Sequence, residues 1–387
     1  MNKCMPKTKV LIVGPYNKGT IARCTLNLWK AFQANKNVEV RCVLAYKEKK
    51  GFEEFDDCEV LSRYSKSPLL KAIYMIVQMM RLRQLKKRFA PDITISTLLN
   101  CNTLNVLSGG KELRVGIFHA PHSQMKAKGQ LSFYATNLQY RLLYTKLNRL
   151  CCVSEEVRKS VIEALPNINK ENMRVVYNVH PTEKIIQKSK EQLDNETEME
   201  IFQKPVILYC GRLDKNKAPD RLVRAFANSM LSNTHHLVFI GPDDGYLRPT
   251  QELARQFGIE VSTHFLGAKT NPYKYIGRAA MLVSCSYSEG LPGVIIEALA
   301  LGVPVIATNS TRGVWEIMNC SSEYDKNLDC IKRTHDGLIT PNTGTDSYDD
   351  AKLCEAICME TKKPTKVKFS FKNKVVGEGI VHDFLNL

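Results

Sequence analysis

The sequence predicts an α/β protein built from two doubly wound, Rossmann-like domains. Residues 9–34 combine a buried-strand pattern, a glycine-containing loop and a helical pattern, which is how a doubly wound sheet begins. The same alternation restarts at Val206, after a polar, charge-rich stretch over residues 180–200 that favours a linker with an exposed helix. The expected division is an N-terminal domain at 1–185, a C-terminal domain at 186–365, and a terminal helix at 366–387 that packs back towards the N-terminal domain.

The composition is that of a globular protein with room for two domains. The chain has 387 residues, of which 44% are hydrophobic and 24% are charged. Lys and Arg outnumber Asp and Glu by 55 to 39, and the net charge of +16 favours a polyanionic partner such as a phospholipid surface, nucleic acid or a phosphorylated substrate. No apolar run reaches the roughly 18 residues that span a bilayer, and the N-terminus lacks a signal-peptide core. The 13 cysteines include no Cys-x-x-Cys pair, which favours free thiols in a reducing cytoplasm.

The first domain is predicted from short apolar runs that are followed by loops or helices. The predicted strands are 9–14, 38–46, 93–96, 114–118, 150–153 and 173–177, and the predicted helices are 21–34, 69–89 and 132–148. Ligands of such a sheet gather at the carboxyl ends of its strands. Gly19 lies in the first of these loops, which has no G-x-G-x-x-G dinucleotide motif, and His119 and His122 follow the strand at 114–118. His119 is the stronger functional candidate of the two, although an isolated histidine is more often structural.

The helix predicted at 69–89 is apolar in its first half and basic in its second. The cations of its second half are Arg81, Arg83, Lys86, Lys87 and Arg88. In one interpretation the segment docks on anionic lipid headgroups. In the other it packs on the sheet and its basic end is solvated. The apolar half favours the sheet, whereas the basic end, given the overall charge, favours a membrane.

The second domain repeats the alternation. Its predicted strands are 206–210, 237–240, 264–266, 281–284 and 305–307, with an edge strand at 337–339, and its predicted helices are 220–230, 249–257, 292–301, 311–318 and 347–360. Pro292 suits the first position of a helix, and Gly302 followed by Pro304 ends that helix. The helix is apolar nearly all round, so we expect it to be buried.

Two carboxylates accompany that helix, Glu289 just before it and Glu297 inside it. A rise of about 1.5 Å per residue separates them by roughly 8–10 Å along the helix axis. The free amides of the helix start favour an anion between them. Two interpretations are open: a ligand held at two hydroxyl-bearing ends with its phosphates on the helix start, or a buried helix with one capping and one ion-paired glutamate.

Two cations, Arg212 and Lys217, lie in the loop after the first strand of the second domain. Arginine offers a planar fork of donors and lysine a mobile point charge, which together suit a diphosphate leaving group without a metal ion. The alternative is that both are solvated cations on a basic protein. The functional interpretation is favoured because this loop, Glu289, Glu297 and the helix start at Pro292 all fall at strand ends of one domain.

These motifs together resemble the retaining group 1 glycosyltransferases, glycosyltransferase family 4 with the GT-B fold, of the bacterial polysaccharide and lipid-linked glycan type. The element Glu289-Gly290-Leu291-Pro292…Glu297 is similar to the family's E-x7-E element, and Gly211-Arg212-Leu213…Lys217 to its G-R-L-x-x-x-K loop. Phe265-Leu266-Gly267 resembles its F-L-G turn, and Ser154-Glu155 and Tyr177-Asn178 resemble its first-domain motifs. The resemblance covers most of residues 9–360 and implies two Rossmann-like domains that face each other across a cleft.

The resemblance also implies roles for individual residues. Arg212 and Lys217 would hold the donor pyrophosphate, Glu297 the ribose hydroxyls and Glu289 the donor sugar, while His119 would lie beside the transferred sugar. The implied catalytic residues are therefore His119, Glu289, Arg212 and Lys217, and the implied nucleotide-sugar contacts further include Gly19, Leu266, Gly267, Gly290, Leu291, Pro292, Gly293, Val294 and Glu297. Two departures weaken the first-domain contacts: Asn17-Lys18-Gly19 replaces the Gly-Gly pair of many members, and Asn178-Val179-His180 lacks the usual glycine.

The resemblance implies a metal-independent enzyme that moves a sugar from a nucleotide sugar, expected to be a UDP-sugar, to a glycan or polyprenyl-linked acceptor. The leaving diphosphate, an oxocarbenium-like sugar and same-face attack would give retention, in a cleft whose closure excludes water. We expect a cytoplasmic protein that associates peripherally with the inner face of the membrane through helix 69–89. The alternatives are a nucleotide-sugar epimerase or glycogen-type synthase of the same fold, or a non-catalytic binder of nucleic acid or another polyanion. No nucleic acid is expected, because the aromatic and basic clustering of single-strand binders is absent.

Overall fold

The computed structural model describes most of the chain as two compact units. The described residues are 6–16, 19–47, 53–55, 58–65, 67–121, 134, 137–138, 140–165, 168–318 and 323–387. The first unit comprises Met1–His180 and Lys374–Leu387, and the second comprises Pro181–Asn373. His122, Asn17 and Lys18, which the sequence analysis considered, lie outside the described residues.

The first unit is a parallel sheet of seven strands in the order β3-β2-β1-β4-β5-β6-β7. The strands are β1 (Thr8–Tyr16), β2 (Val38–Lys47), β3 (Glu59–Val60), β4 (Ile93–Ser96), β5 (Leu113–Phe118), β6 (Arg149–Cys152) and β7 (Met173–Val175). The helices that lie entirely within the described residues are α1 (Thr20–Ala34), α2 (Pro68–Phe89), α3 (Leu99–Leu107) and α4 (Glu155–Ala164). The central strands β1, β4 and β5 are buried along most of their length, as in parallel sheets whose two faces are covered by helices.

Helix α2 packs on the sheet through its basic second half, whereas its composition suggested packing through the apolar first half. Its basic second half is docked, since Leu82, Leu85 and Phe89 join Leu11 and Val43 in the core. The apolar first half is the exposed part. The reason is that the basic half alternates cations with buried leucines, so it can bury one side and keep most charges at the surface.

The second unit is also a seven-stranded sheet, in the order β10-β9-β8-β11-β12-β14-β13. Its strands are β8 (Val206–Cys210), β9 (His236–Ile240), β10 (Thr263–Phe265), β11 (Met281–Ser284), β12 (Val305–Thr308), β13 (Lys332–Arg333) and β14 (Gly337–Thr340). All of these pairs are parallel except that of β13 with β14. The predicted position of residues 337–339 at the edge is wrong: β14 is an inner strand, and the edge is the antiparallel β13, whose two basic residues gave no apolar signal.

The helices of the second unit are α5 (Thr182–Ser189), α6 (Glu196–Ile201), α7 (Pro219–Asn228), α8 (Leu247–Gln256), α9 (Tyr273–Ile276), α10 (Gly293–Ala300), α11 (Arg312–Ile317) and α12 (Asp346–Lys362). Helix α10 begins one residue later than predicted. Pro292 is its N-cap, with an extended backbone at φ −73° and ψ 97°. Helix α10 is buried, as predicted, along the side that carries Ile295, Ile296, Ala298 and Leu299, whereas Val294 and Glu297 are partly exposed.

The end of the chain returns to the first unit as helix α13 (Gly377–Leu385). It packs on α1, and the rings of Phe384 and Phe32 lie 6.1 Å apart. A Cβ atom on Gly377 would approach the Cβ of Ala31 to 2.9 Å, so a glycine permits the two helices to approach this closely.

Within the described residues, none of the helices combines the length and apolar character needed to span a membrane. The cysteines of the described part are free thiols, and burial raises the pKa of the Cys101 and Cys285 thiols to about 12. In that same part no group of three or more His, Cys, Asp or Glu residues is arranged to hold a metal ion.

Candidate functional site

Three strand-end loops of the second unit are joined through backbone contacts. The N–H of Gly211, after β8, donates to the Ile240 carbonyl at 2.9 Å, and the N–H of Gly241, after β9, donates to the Gly267 carbonyl at 2.9 Å. A Cβ on Gly241 would lie only 1.7 Å from the Gly211 oxygen, and the φ of +151° also requires glycine. This row of glycines places the residues that follow β8, β9 and β10 side by side.

Arg212 lies on this row between two carboxylates. Its Nη1 atom is 2.9 Å from Asp244 Oδ2, and its Nη2 atom is 2.9 Å from Asp214 Oδ2. The Arg212 side chain remains more than half exposed. The two aspartates orient an arginine that can still reach a ligand from solvent. Sequence analysis did not find Asp244 because it follows β9, 32 residues after Arg212, whereas Asp214 lies in the same loop as Arg212.

Lys217 and Glu289 form an ion pair at the same edge of the sheet. Lys217 Nζ lies 2.5 Å from Glu289 Oε1, and both side chains are largely shielded from solvent. The Lys217 N–H also donates to Asp214 Oδ1 at 2.8 Å. The structure therefore brings together three residues, Arg212, Lys217 and Glu289, that sequence analysis selected from two separate motifs.

Two asparagines connect the loops that carry this ion pair. Asn216 donates from Nδ2 to the Ser288 carbonyl at 2.8 Å and accepts the Tyr287 N–H at its own carbonyl at 2.8 Å. Asn342 donates to the Tyr287 carbonyl at 2.9 Å. These bonds hold the chain before Glu289 by its backbone, so the position of the carboxylate does not depend on its own side chain alone. Nothing in the local sequence singled out Asn216 or Asn342.

A fully buried arginine supports the loop from below. Arg221 Nη1 donates to Asn342 Oδ1 at 2.9 Å, and the guanidinium group lies 5.0 Å from the centre of the Tyr287 ring. Its charge is balanced by Asp349 and Asp350, each with an N···O distance of 3.3 Å. A buried cation requires such counter-charges, so this cluster is a structural support and not an exposed binding group.

The start of α10 presents backbone amides with no side-chain cap and no acidic residue in its first turn. Ile295 already bonds back to the Pro292 carbonyl at 3.1 Å, which leaves the amides of Gly293 and Val294 at the helix start. A Cβ on Gly313 would meet the Gly290 carbonyl at 2.9 Å, so α11 lies directly against this turn. Partial positive charge is therefore available next to Leu291 and Pro292, and Glu297 lies one turn further into the helix.

Leu266 and Gly267 lie at the end of β10, on the same edge of the sheet. The Leu266 N–H donates to the Phe239 carbonyl at 2.9 Å, and Gly267 adopts a φ of +68°. The predicted residues of the second unit thus lie at strand ends or at one helix start, except Glu297, which lies inside α10.

His119 and Gly19 belong to the first unit. His119 follows β5 and lines a small cavity together with Thr97, Asn178 and Phe384. Burial lowers its pKa to about 4, although a hydrogen bond with the Thr97 backbone opposes the shift. Its Nε2 atom is buried and has no hydrogen-bond partner among the described residues. The imidazole is therefore neutral at pH 7, with one ring nitrogen directed into buried space. Gly19 precedes α1 as its N-cap.

Comparison with known proteins defines the class of this one. Residues 21–184 match the family model described as Glycosyltransferase Family 4, and residues 191–321 match that described as Glycosyl transferases group 1. The two matches together cover about three quarters of the chain. The protein is a glycosyltransferase of the group 1 family, and the predicted fold class, two Rossmann-like α/β domains of the GT-B type, is confirmed.

Two curated relatives align with about two thirds of the chain. An uncharacterized glycosyltransferase of Methanocaldococcus jannaschii is 26% identical over 275 residues, which are 67% of each chain. The N-acetylgalactosamine-N,N'-diacetylbacillosaminyl-diphospho-undecaprenol 4-alpha-N-acetylgalactosaminyltransferase of Campylobacter jejuni is 25% identical over 272 residues, 68% of this chain and 71% of the relative.

Two solved structures share the fold over nearly the whole length. Anabaena HepE in complex with UDP and glucose superposes with a TM-score of 0.73 at 14% identity, covering 98% of both chains. The lipopolysaccharide outer core galactosyltransferase WaaB superposes with a TM-score of 0.66 at 18% identity, also covering 98% of both chains.

Proposed function

We propose that this protein transfers a sugar, with retention of configuration, from a UDP-sugar to a lipid-linked glycan or surface polysaccharide precursor. The observation that carries the proposal is the Lys217–Glu289 ion pair, held beside Arg212 and the uncapped start of α10. UDP in the HepE complex supports the choice of nucleotide, and the diphospho-undecaprenol in the Campylobacter relative's name supports the class of acceptor.

In this proposal the donor diphosphate binds where three positive groups lie at one edge of the sheet. Arg212 offers a fork of donors, Lys217 a point charge and α10 its free amides. These groups stabilise the negative charge that develops as the nucleoside diphosphate departs, so we propose a metal-independent step.

The carboxylates then bind the neutral parts of the donor. Glu289, oriented by Lys217, accepts hydrogen bonds from hydroxyl groups of the transferred sugar, and Glu297 accepts them from the ribose. Leu266 and Gly267 contact the base, and Gly290 to Val294 line the sugar and phosphates. His119, neutral at pH 7, acts as a hydrogen-bonding group beside the sugar instead of as a cation.

Release of UDP from a panel of UDP-sugars, with a polyprenyl-diphosphate-linked acceptor, tests the proposal. We expect Lys217→Ala and Glu289→Ala each to lower kcat/KM by about 100-fold or more, because each removes a charge placed at the reacting region. Lys215→Ala is the matched control, since Lys215 is an exposed lysine of the same loop, and its activity should stay within about twofold. NMR of the product should show the donor's anomeric configuration. Full activity of both alanine variants would refute the site.

A further inference from the structure

Helix α2 carries a row of large apolar side chains on its outer surface. Leu69, Ile73, Ile76 and Met80 are 72%, 46%, 56% and 64% exposed. Their spacing of four, three and four residues, at about 100° of rotation per residue, confines them to a stripe about 60° wide. Four large apolar groups therefore face solvent together, which is more than scattered surface residues explain.

The opposite side of α2 fixes this orientation. Leu82, Leu85 and Phe89 are buried in the core of the sheet. Gln78 donates to Ser62 Oγ at 2.6 Å from the same side of the helix. The helix cannot turn to bury the outer row without withdrawing these groups from the core.

The charges on the second half of α2 divide into a set with protein partners and a set without described acidic partners. Lys86 Nζ lies 2.7 Å from Glu112 Oε1, and both side chains are buried. Arg88 Nη2 lies 2.9 Å from Glu59 Oε2, and Arg81 Nη1 donates to the Leu61 carbonyl at 2.8 Å. Arg83 and Lys87 are exposed and have no acidic partner among the described residues. They continue the apolar stripe at the same spacing, so the outer face is apolar for three turns and then cationic.

Acidic residues are absent from the whole neighbourhood in sequence. Between Leu61 and Pro91 the chain contains eight Lys and Arg residues and no Asp or Glu. A symmetric dimer through this face would bury Arg83 and Lys87 on both copies without supplying a counter-charge. The phosphates of a lipid surface supply that charge, and an interfacial helix with apolar and basic groups is suited to such a surface.

We propose that the outer face of α2 docks the protein on an anionic phospholipid bilayer. Leu69, Ile73, Ile76 and Met80 enter the boundary between headgroups and acyl chains, and Arg83 and Lys87 bind the headgroup phosphates. The docking element is therefore the exposed apolar half with two following cations, and not the basic end alone. The inference rests on the proposed function in one respect: a lipid-linked acceptor would be reached from this surface.

Co-sedimentation of the full chain with vesicles tests the surface. The vesicles are phosphatidylcholine alone, or phosphatidylcholine with a quarter of phosphatidylglycerol. We expect the variant Leu69→Gln/Ile73→Gln/Ile76→Gln/Met80→Gln to bind the anionic vesicles at least about tenfold more weakly than the parent protein. Arg83→Gln/Lys87→Gln should also lose about tenfold or more, on anionic vesicles only.

Two control variants match these changes elsewhere. Met230→Gln/Phe257→Gln/Val261→Gln removes exposed apolar side chains of the second unit, and Lys362→Gln/Lys363→Gln removes two exposed lysines. Both should bind as the parent protein does. Because all substituted side chains are exposed, circular dichroism should show unchanged folding, and Ile76→Trp provides a second measure through a blue-shifted emission on anionic vesicles.

Three results would overturn the docking surface. The first is equal vesicle binding of the four-residue α2 variant and the parent protein, and the second is parent binding that does not distinguish neutral from anionic vesicles. The third is a concentration-dependent dimer that the α2 variant abolishes while vesicle binding is unchanged.

Transfer to a short-chain, water-soluble acceptor separates this inference from the proposed function. We expect the α2 variant to keep that activity and lose transfer to acceptor embedded in vesicles. Parent protein that binds vesicles but transfers no sugar would refute only the function.

Discussion

The candidate residues of the two units are arranged in opposite ways. In the second unit Arg212, Lys217 and Glu289 are charged, paired and partly open to solvent. In the first unit His119 is neutral, and its Nε2 atom is buried without a described partner. The proposed function assigns the charged diphosphate of the donor to the first arrangement and the uncharged sugar to the second.

The two arrangements are also held in place by different kinds of contacts. The charged residues are held by a second layer that itself contains buried ions, with Arg221 at its centre. The cavity around His119 is lined by apolar and neutral groups, including Phe384 from the last helix. Removing one member of a buried ion pair leaves the other charge uncompensated, whereas truncating an apolar side chain removes packing contacts in smaller steps. We therefore expect changes to the second unit's support to have the larger effects.

The largest effect is expected for Arg221→Met. It leaves the buried Asp349 without a cation, while Asp350 keeps its ion pair with Arg224, and it should lower the free energy of unfolding of the second unit by about 3–5 kcal/mol. Urea unfolding followed by circular dichroism measures this. Arg248→Met is the control, because the Arg248–Glu252 pair is exposed and its loss should leave the free energy of unfolding nearly unchanged. Equal losses in the two variants would contradict the supporting role of Arg221.

A smaller effect is expected from the coupling of Lys217 and Glu289 in donor binding. A double-mutant cycle with Lys217→Gln and Glu289→Gln should show non-additive losses, with an interaction free energy of about 1–3 kcal/mol, because the two groups are in direct contact. Calorimetric titration of UDP measures the cycle. Additive losses would mean that the two residues act on the ligand separately.

The neutral histidines of the first unit should make it sensitive to acid. Burial and then Arg23 lower the pKa of His180 to about 4, and the unfolded pKa is about 6.5. Between these values the unfolded state binds more protons, so stability falls as the pH decreases. From pH 7 to pH 5 this one histidine should account for a loss of about 2 kcal/mol.

The corresponding measurement compares urea unfolding of His180→Gln and the parent protein at the two pH values. The variant should lose about 2 kcal/mol less than the parent over this range. A variant such as His382→Gln, on the exposed side of α13, should retain the parent's pH dependence. Identical pH dependence in the His180 variant and the parent would argue against a neutral buried His180.

The smallest effect is expected for Gly377→Ala. The added methyl group would meet the Ala31 Cβ at 2.9 Å and displace α13, which carries Phe384 to the His119 cavity. The expected loss is about 1 kcal/mol in thermal unfolding, because an overpacked helix contact can partly relax. Gly379→Ala, at an exposed position of the same helix, should be neutral or slightly stabilising. A larger loss at Gly379 than at Gly377 would contradict this account of the contact.

Local patterns determined the sequence of elements and the type of fold. Continuous apolar runs such as Val10 to Val13 indicate strands buried on both faces, and Gly302 with Pro304 ends α10 in the structure as predicted. The motif residues Arg212, Lys217 and Glu289 were also found from sequence. Each lies next to the end of a strand or the start of a helix, and local sequence patterns predict these boundaries. The roles assigned to them remain predictions.

Tertiary structure alone decided how these residues meet. Asp244 and Asn342 contact the site from loops that are distant along the chain, and Asn216 joins the Lys217 loop to the distant Ser288. Arg221 supports the site from inside a helix. The same holds for α2, whose composition is apolar on two sides. Only its packing on the sheet decides which side is covered. Local sequence encodes the propensity of a segment, but contacts between distant segments depend on the order of strands in the sheet, which no single segment contains.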